Sequence, residues 1–243
     1  MLSFFKKRPS VQFDLGWMGV DIHSHLLPGI DDGSPDVSTS LGYLRKLEDL
    51  GIRKVICTPH VYIEIYPNNF QTIEASFRDL QSQRTPHQGA ELSIAAEYML
   101  DNEFKTLLAR GDLLCLKGNY LLVEMSYIAE TPDVETHIFQ LLLAGYKPVL
   151  AHPERYLFYH QQFGKYERLR EMGCLFQMNI LSPSGYYGPL VKTAAEKLLK
   201  KGMIDFLGTD LHHERHLDAL IAFVSSGGAQ KLGEKYGFRN REM

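Results

Sequence analysis

His23 and His25 close a short apolar run, V-D-I-H-S-H, and two acids, Asp31 and Asp32, follow within a turn-forming stretch. In an extended strand, residues two apart project from one face, so the two imidazoles can meet at a point where a metal ion is held. Pro28 and Gly29 break the strand and can swing Asp32 back over its end. Taken alone, the motif reads equally well as a strand with two partly exposed histidines. The arrangement then recurs along the chain: His60 follows V-I-C-T-P, Glu97 follows L-S-I-A-A, Glu124 closes Y-L-L-V, His152 closes P-V-L-A, and Asp210 with His212 follows I-D-F-L-G-T. Each of these residues singly is an ordinary cap, loop or surface group. Jointly they put an imidazole or carboxylate at the C-terminal end of nearly every predicted strand. Such donors, without thiolate, suit Mn²⁺, Fe²⁺ or Zn²⁺ better than a structural zinc knot. With Asp32 the candidate ligands are His23, His25, Asp32, His60, Glu97, Glu124, His152, Asp210 and His212, enough for two or three ions if Glu97 bridges.

The elements that must position these groups follow from hydrophobic periodicity and breakers. After the first strand a helix is expected over 37–50, with Leu41, Leu44 and Leu47 on one face and Gly51 as its stop. Strands are expected at 53–57, 92–96, 120–123, 148–151, 174–180 and 204–208, and further helices at 70–84, 133–144, 163–172, 190–201, 215–224 and 229–236. The stretch 98–117 reads as irregular. Seven strands alternating with helices or long connections predict an α/β fold, a parallel sheet closed into a seven-stranded TIM-like barrel. Parallel barrels gather the C-terminal ends of their strands at one mouth, which is where the candidate ligands would meet. A doubly wound open sheet lacks its Gly-rich first turn here, because 23–33 contains no G-x-G-x-x-G. One domain is expected over 19–243, preceded by an N-terminal extension at 1–18.

Composition sets the class. The chain has 243 residues, 44% hydrophobic and 23% charged, which permits a substantial core and argues against extensive disorder. A formal net charge of −3 gives no global reason to expect nucleic-acid binding, so an anionic substrate must be attracted locally. Cys57, Cys115 and Cys174 are scattered and odd in number, which fits a reducing compartment, and the cytoplasm is expected. No apolar run is long enough to span a membrane. The basic and aromatic start, Phe4, Phe5, Lys6, Lys7 and Arg8, reads as a frayed tail rather than a membrane contact.

Several separate blocks resemble a known family. D-I-H-S-H at 21–25, T-P-H at 58–60, A-H-P-E-R-Y at 151–156 and T-D-L-H at 209–212 are similar to the polymerase and histidinol phosphatase (PHP) family of metal-dependent phosphoesterases. More narrowly, H-S-H-L-L-P-G-I-D-D-G with A-A-E-Y, L-V-E-M-S and A-H-P-E-R-Y resembles its branch of bacterial capsular and exopolysaccharide tyrosine-protein phosphatases. The resemblance implies a distorted seven-stranded barrel and a trinuclear site. It would place one ion on His23, His25, Glu97 and Asp210, a second on Glu97, Glu124 and His152, and a third on Asp32, His60 and His212, with Arg155 binding phosphate. Val61 and Tyr62 depart from the basic residues that some members carry after the histidine.

That likeness implies hydrolysis of phosphotyrosine by a metal-activated hydroxide, with manganese as the leading metal and iron, zinc or magnesium as alternatives. Metal-coordinated water or His25 would protonate the leaving group. The partner implied is the Tyr-rich tail of a membrane-associated bacterial tyrosine kinase that governs polysaccharide export. Cysteine-based phosphatases are excluded by counting, since Ile63, Leu121 and Ile180 stand where a C-x₅-R loop needs arginine. The alternatives are a small-molecule phosphomonoesterase acting on a substrate such as histidinol phosphate, and a non-catalytic, metal-containing partner of a kinase. An aromatic loop with Tyr62, Tyr66, Pro67 and Phe70 forms either a peptide-contacting rim or packing on the barrel.

Overall fold

The computed structural model describes residues 13–85 and 89–243. Short runs rich in Val, Ile and Leu become strands that are covered on both faces, as parallel sheets require. Among the described residues the strands are β1 Val20–Ser24, β2 Lys54–Cys57, β3 His60–Val61, β4 Glu91–Ile94, β5 Glu97–Met99, β6 Tyr120–Glu124, β7 Lys147–Ala151, β8 Leu175–Asn179 and β9 Phe206–Gly208. Every ladder between them is parallel. One sheet has the order β1-β2-β4, and the other runs β3-β5-β6-β7-β8-β9. The connections carry α1 Val37–Asp49, α2 Phe70–Ser82, α3 Phe104–Arg110, α4 Val134–Leu143, α5 Gly164–Glu171, α6 Pro189–Lys200, α7 Glu214–Ser225 and α8 Gly228–Lys235. The result is a curled parallel α/β sheet with helices outside it.

Local signals explain the helix starts. The Asp36 side chain accepts a hydrogen bond from Thr39 N and caps α1, which then buries Ser40, Tyr43, Leu44 and Leu47 at helical spacing. Asn69 and Thr72 form a reciprocal capping box at the start of α2.

Two expectations need correction. The strand expected over 92–96 is interrupted: β4 stops at Ile94 and β5 starts at Glu97, while the adjacent path breaks in step between Cys57 and His60. Pro59 has no N–H with which to continue a ladder. The pairing is carried across the gap by Ala95 N donating to Cys57 O (2.9 Å) and Glu97 N donating to Pro59 O (3.1 Å). The irregular stretch 98–117 contains helix α3, whose seven residues are too few to give a periodic signal. Ahead of residue 19, Leu15 and Met18 are buried in the core. The basic and aromatic residues 4–8 lie outside the described residues.

The first and last strands approach each other closely. Asp210 N donates to His23 O (2.8 Å) and His25 N donates to Leu211 O (3.1 Å), with a parallel bridge between Ser24 and Leu211. Gly208 permits the approach, because a Cβ there would lie 2.5 Å from the His23 Cβ. Farther along the same seam, the buried Asn240 side chain donates to Val20 O (2.8 Å) and Leu207 O (2.7 Å) and accepts from Leu207 N (2.9 Å). Asn240→Ala leaves these backbone groups without partners and is expected to lower stability by about 2–4 kcal/mol. Urea unfolding measures this; a loss below about 0.5 kcal/mol would show that the seam closes without Asn240.

Candidate metal centre

β1 carries a register irregularity between Asp21 and Ser24, the segment that contains His23. A bulge of this kind re-aims a side chain. The His23 and His25 rings converge so that their Nε2 atoms stand 3.1 Å apart. Two carboxylate oxygens complete the group. Glu97 Oε2 lies 3.2 Å from His23 Nε2 and 3.4 Å from His25 Nε2, and Asp210 Oδ1 lies 3.4 and 3.5 Å from the same two atoms. All four side chains are buried.

These five separations, 3.1–3.5 Å, are those of ligand atoms that share one ion at the roughly 2.0–2.2 Å bond length of Zn²⁺ or a similar cation to nitrogen and oxygen. Among the described residues Glu97 Oε2 has no hydrogen-bond partner, although imidazole nitrogens surround it. A donor set of this spacing, with an orphaned buried oxygen facing its centre, fits a divalent cation.

The other candidates adjoin this cage. His152 Nε2 lies 3.1 Å from Glu97 Oε1 and 3.8 Å from Glu124 Oε2. His60 Nδ1 faces Glu124 Oε1 (2.9 Å) and Glu97 Oε2 (3.1 Å), while its Nε2 faces Asp32 Oδ1 at 3.4 Å. His212 Nε2 is 3.6 Å from the same Asp32 oxygen, and its ring stacks on His25 with centroids 3.9 Å apart. All nine sequence candidates thus fall into contiguous groups with ligand spacing. His152 (φ 34°) and Asp210 (φ 53°) adopt left-handed backbone, a strained conformation for these residues that bends the chain just beyond β7 and β9. The chain therefore turns at Asp210, two residues beyond the end of β9.

Three residues that orient the cage were not foreseen. β8 supplies none of the candidate ligands, yet Gln177 and Asn179 project from one face of it. His23 Nδ1 donates to Gln177 Oε1 (2.7 Å), Gln177 Nε2 to Asn179 Oδ1 (3.0 Å) and Asn179 Nδ2 to Asp210 Oδ2 (2.6 Å). This chain of amides ties a candidate ligand from β1 to one beyond β9. On the other side His25 Nδ1 donates to Asp31 Oδ2 at 2.8 Å, and Asp31 also accepts from the backbone of Gly33 and His60. A Cβ on Gly33 would lie 2.2 Å from His25 O, so glycine there lets the loop fold tightly enough to deliver both acids. The available signal was the period-two pair of amides in an otherwise apolar run, L-F-Q-M-N.

The electrostatics are those of an acid-rich pocket. Burial works against the charged forms of His25 and His60, but Asp31 beside His25 and Glu124 beside His60 hold both imidazoles well above the usual histidine range. Burial likewise opposes ionisation of Glu97 and Asp210, and the surrounding imidazoles, His23 first, hold both well below the carboxylate range. Burial and the neighbouring His25 push His212 down to about 4.

Arg155 stands on the wall of the adjoining cavity. A tight turn, Arg155 N donating to His152 O (2.9 Å), sets it beside His152, and its Nη1 donates to Asp210 Oδ2 (3.1 Å). Its guanidinium sits 4.2 Å from the Tyr127 ring centroid and 4.7 Å from that of Tyr187. The tyrosine hydroxyls are anchored in turn, Tyr127 to His152 Nε2 (3.2 Å) and Tyr187 to His216 Nε2 (2.9 Å). The cavity, about 290 Å³, is lined by Asp32, His60, Tyr127, Arg155, Tyr187 and His212 among others. Of the aromatic loop, Tyr66 stacks on His60 at 5.5 Å, and Phe70 is exposed at the start of α2.

Comparison with known proteins follows the same lines. Tyrosine-protein phosphatase YwqE of Bacillus subtilis is 30% identical over 197 residues, 80% of this chain and 77% of that one. Tyrosine-protein phosphatase CpsB of Streptococcus pneumoniae is 24% identical over 230 residues, 90% and 91% of the two chains. A crystal structure from the work on YwqE and CpsB, described as metal-dependent tyrosine phosphatases, is similar with a TM-score of 0.75 and 26% identity, covering 90% of this chain and 96% of the other. In fold alone, the chain is also similar to a histidinol phosphate phosphatase of Lactococcus lactis (TM-score 0.59, 14% identity, 91% and 95% covered). The family model for capsular polysaccharide synthesis proteins CpsB/CapC matches residues 19–239, a span that holds every cage residue and Arg155, and the chain belongs to that family.

Proposed function

We propose that this chain is a metal-dependent protein tyrosine phosphatase in which residues 19–243 act as one distorted seven-stranded barrel. The strand count rests on treating β2 with β3, and β4 with β5, as single interrupted paths. The observation that carries the function is the convergence of His23, His25, Glu97 and Asp210 beside a cavity walled by Arg155. In this reading Glu97, Glu124 and His152 hold a second ion and Asp32, His60 and His212 a third, with manganese as the native metal. When bound, the cations supply Lewis acidity, drawing charge from phosphoryl oxygens and making water acidic enough to attack near neutral pH.

The chain's own residues do the rest. Asp31, Gln177 and Asn179 lock ring and carboxylate orientations. Arg155, packed against two aromatic rings and tied to Asp210, offers its remaining N–H donors to the non-bridging phosphate oxygens. A phenol leaves with a pKa of about 10, so it needs little acid assistance. His25 acts as a ligand: Nδ1 is engaged by Asp31 and Nε2 faces the cage, which leaves no nitrogen for a proton donor, and cavity water supplies that proton. The thiols take no part, since burial pushes Cys57 and Cys174 up to about 12 and Cys115 up to about 11. The names of the relatives support phosphotyrosine protein as substrate; the source proposed is the tyrosine-bearing tail of a capsule-controlling kinase. The proposed site of action is the cytoplasm; no described helix is long and apolar enough to cross a membrane.

Chelation is expected to abolish aryl phosphate hydrolysis and Mn²⁺ to restore it; hydrolysis that survives complete metal removal would overturn the assignment. Because His25 and His60 titrate above the ordinary histidine value, the metal-free protein carries protons on them at neutral pH. Loading must expel these protons, so affinity rises with pH up to the raised values. Calorimetric titration with Mn²⁺ in buffers of different ionisation enthalpy should report net proton release at pH 7, and none would contradict the cage. Arg155→Ala should retain its metal while kcat/KM for phosphotyrosine peptide falls about 10²–10³-fold, by analogy with removal of one preorganised donor; loss of metal instead would make Arg155 structural. Asn179→Ala should weaken metal binding about 10–100-fold, read by competition with a chelating dye.

A further inference from the structure

The cavity beside the metal cage has a neighbour on the far side of the same wall. Tyr127, Arg155 and Tyr187 form that wall, a guanidinium between two rings, and all three also line a second cavity of about 500 Å³. The far cavity is otherwise apolar, with Leu157, Pro189, Leu190 and Val191 on its surface. Arg155 is the only charged side chain among its lining residues, and that charge is already met by Asp210 and the two rings. Leu190, at the second position of α6, is 64% exposed, and Leu157 is 52% exposed. These side chains sit in water although α6 has a buried face of Val191, Ala194, Ala195, Leu198 and Leu199 to offer the core. An apolar hollow that shares a wall with a polar reaction cavity suits a substrate with one side chain of each kind.

Resting on the phosphatase reading above, we propose that this second cavity is a specificity subsite that seats an apolar side chain, of the size of Leu or Phe, from the residue immediately beside the phosphotyrosine of an extended peptide. Successive Cα atoms of such a peptide are about 3.8 Å apart and their side chains alternate in direction. A backbone running along the crest of the Tyr127–Arg155–Tyr187 wall therefore drops the phosphotyrosine on the metal side and its neighbour on the apolar side. An acidic neighbour would meet no free cation there, and a glycine would leave the hollow unfilled. The subsite selects by burial of apolar surface, where a difference of one side chain is worth about tenfold or more in kcat/KM.

The test uses phosphotyrosine peptides identical except for Leu, Gly or Glu at the residue after, or in a second series before, the phosphotyrosine. Phosphate release by the Mn²⁺-loaded full chain gives kcat/KM for each. The expected result is a Leu-to-Gly ratio of about ten or more in one of the series, with Glu no better than Gly, falling to under about threefold in Leu190→Asp. Leu190 is largely exposed and an acid is tolerated in the first turn of a helix, so that variant should fold; the ratio cancels any change in its overall rate. A ratio near one in both series, or a ratio that Leu190→Asp leaves unaltered, overturns the subsite. para-Nitrophenyl phosphate separates the two levels: hydrolysis of it with a flat peptide profile removes the subsite alone, and no hydrolysis of it removes the phosphatase reading together with the subsite.

Discussion

Five carboxylates, Asp31, Asp32, Glu97, Glu124 and Asp210, converge with five imidazoles at one end of the sheet, and most of these groups are out of contact with water. An unpaired buried charge is penalised by several kcal/mol even after relaxation, so such a collection persists only if positive charge is supplied from within. Arg155 contributes one unit through Asp210. The remainder must come as protons on the imidazoles or as bound cations. That choice couples the stability of the centre to its loading, because each cation replaces protons that the carboxylates would otherwise retain on histidine.

The backbone departs from regular geometry at the points this constraint dictates. β1 is irregular around His23, the paths through β2–β3 and β4–β5 break just before His60 and Glu97, and left-handed backbone turns His152 and Asp210 inward. Regular strands would carry these side chains past the centre or onto the opposite face. Each irregularity costs of the order of 1–3 kcal/mol where the backbone is strained, and the surrounding hydrogen bonds of Gln177, Asn179 and Asp31 hold it in place. The cavity lined by Asp32, His60, Arg155 and His212 adjoins these departures.

Most of the candidate ligands stood out in the sequence because they follow apolar runs, and a parallel sheet makes the ends of such runs neighbours whatever their separation along the chain. His23 and Asp210 meet across more than half the protein for that reason. The overall alternation of strands and helices was legible on the same grounds. The interruption at Ala95 and Ala96 was not, since the hydrophobic pattern continues through it and only pairing geometry reveals the break. Gln177 and Asn179 escaped notice because amides carry no charge and are rarely diagnostic, although their period-two spacing on β8 matches that of His23 and His25. The Tyr127 and Tyr187 sandwich around Arg155 joins residues from three separate loops, a juxtaposition that no local pattern encodes.

The central claim is that a divalent cation occupies the space between His23, His25, Glu97 and Asp210. Anomalous diffraction from crystals of the Mn²⁺-loaded protein, collected on both sides of the manganese absorption edge, tests it directly. The account predicts an anomalous peak about 2.0–2.2 Å from His23 Nε2, His25 Nε2, Glu97 Oε2 and Asp210 Oδ1. A cage without such a peak in protein that has bound Mn²⁺ elsewhere, or imidazoles turned away from the carboxylates, would contradict it.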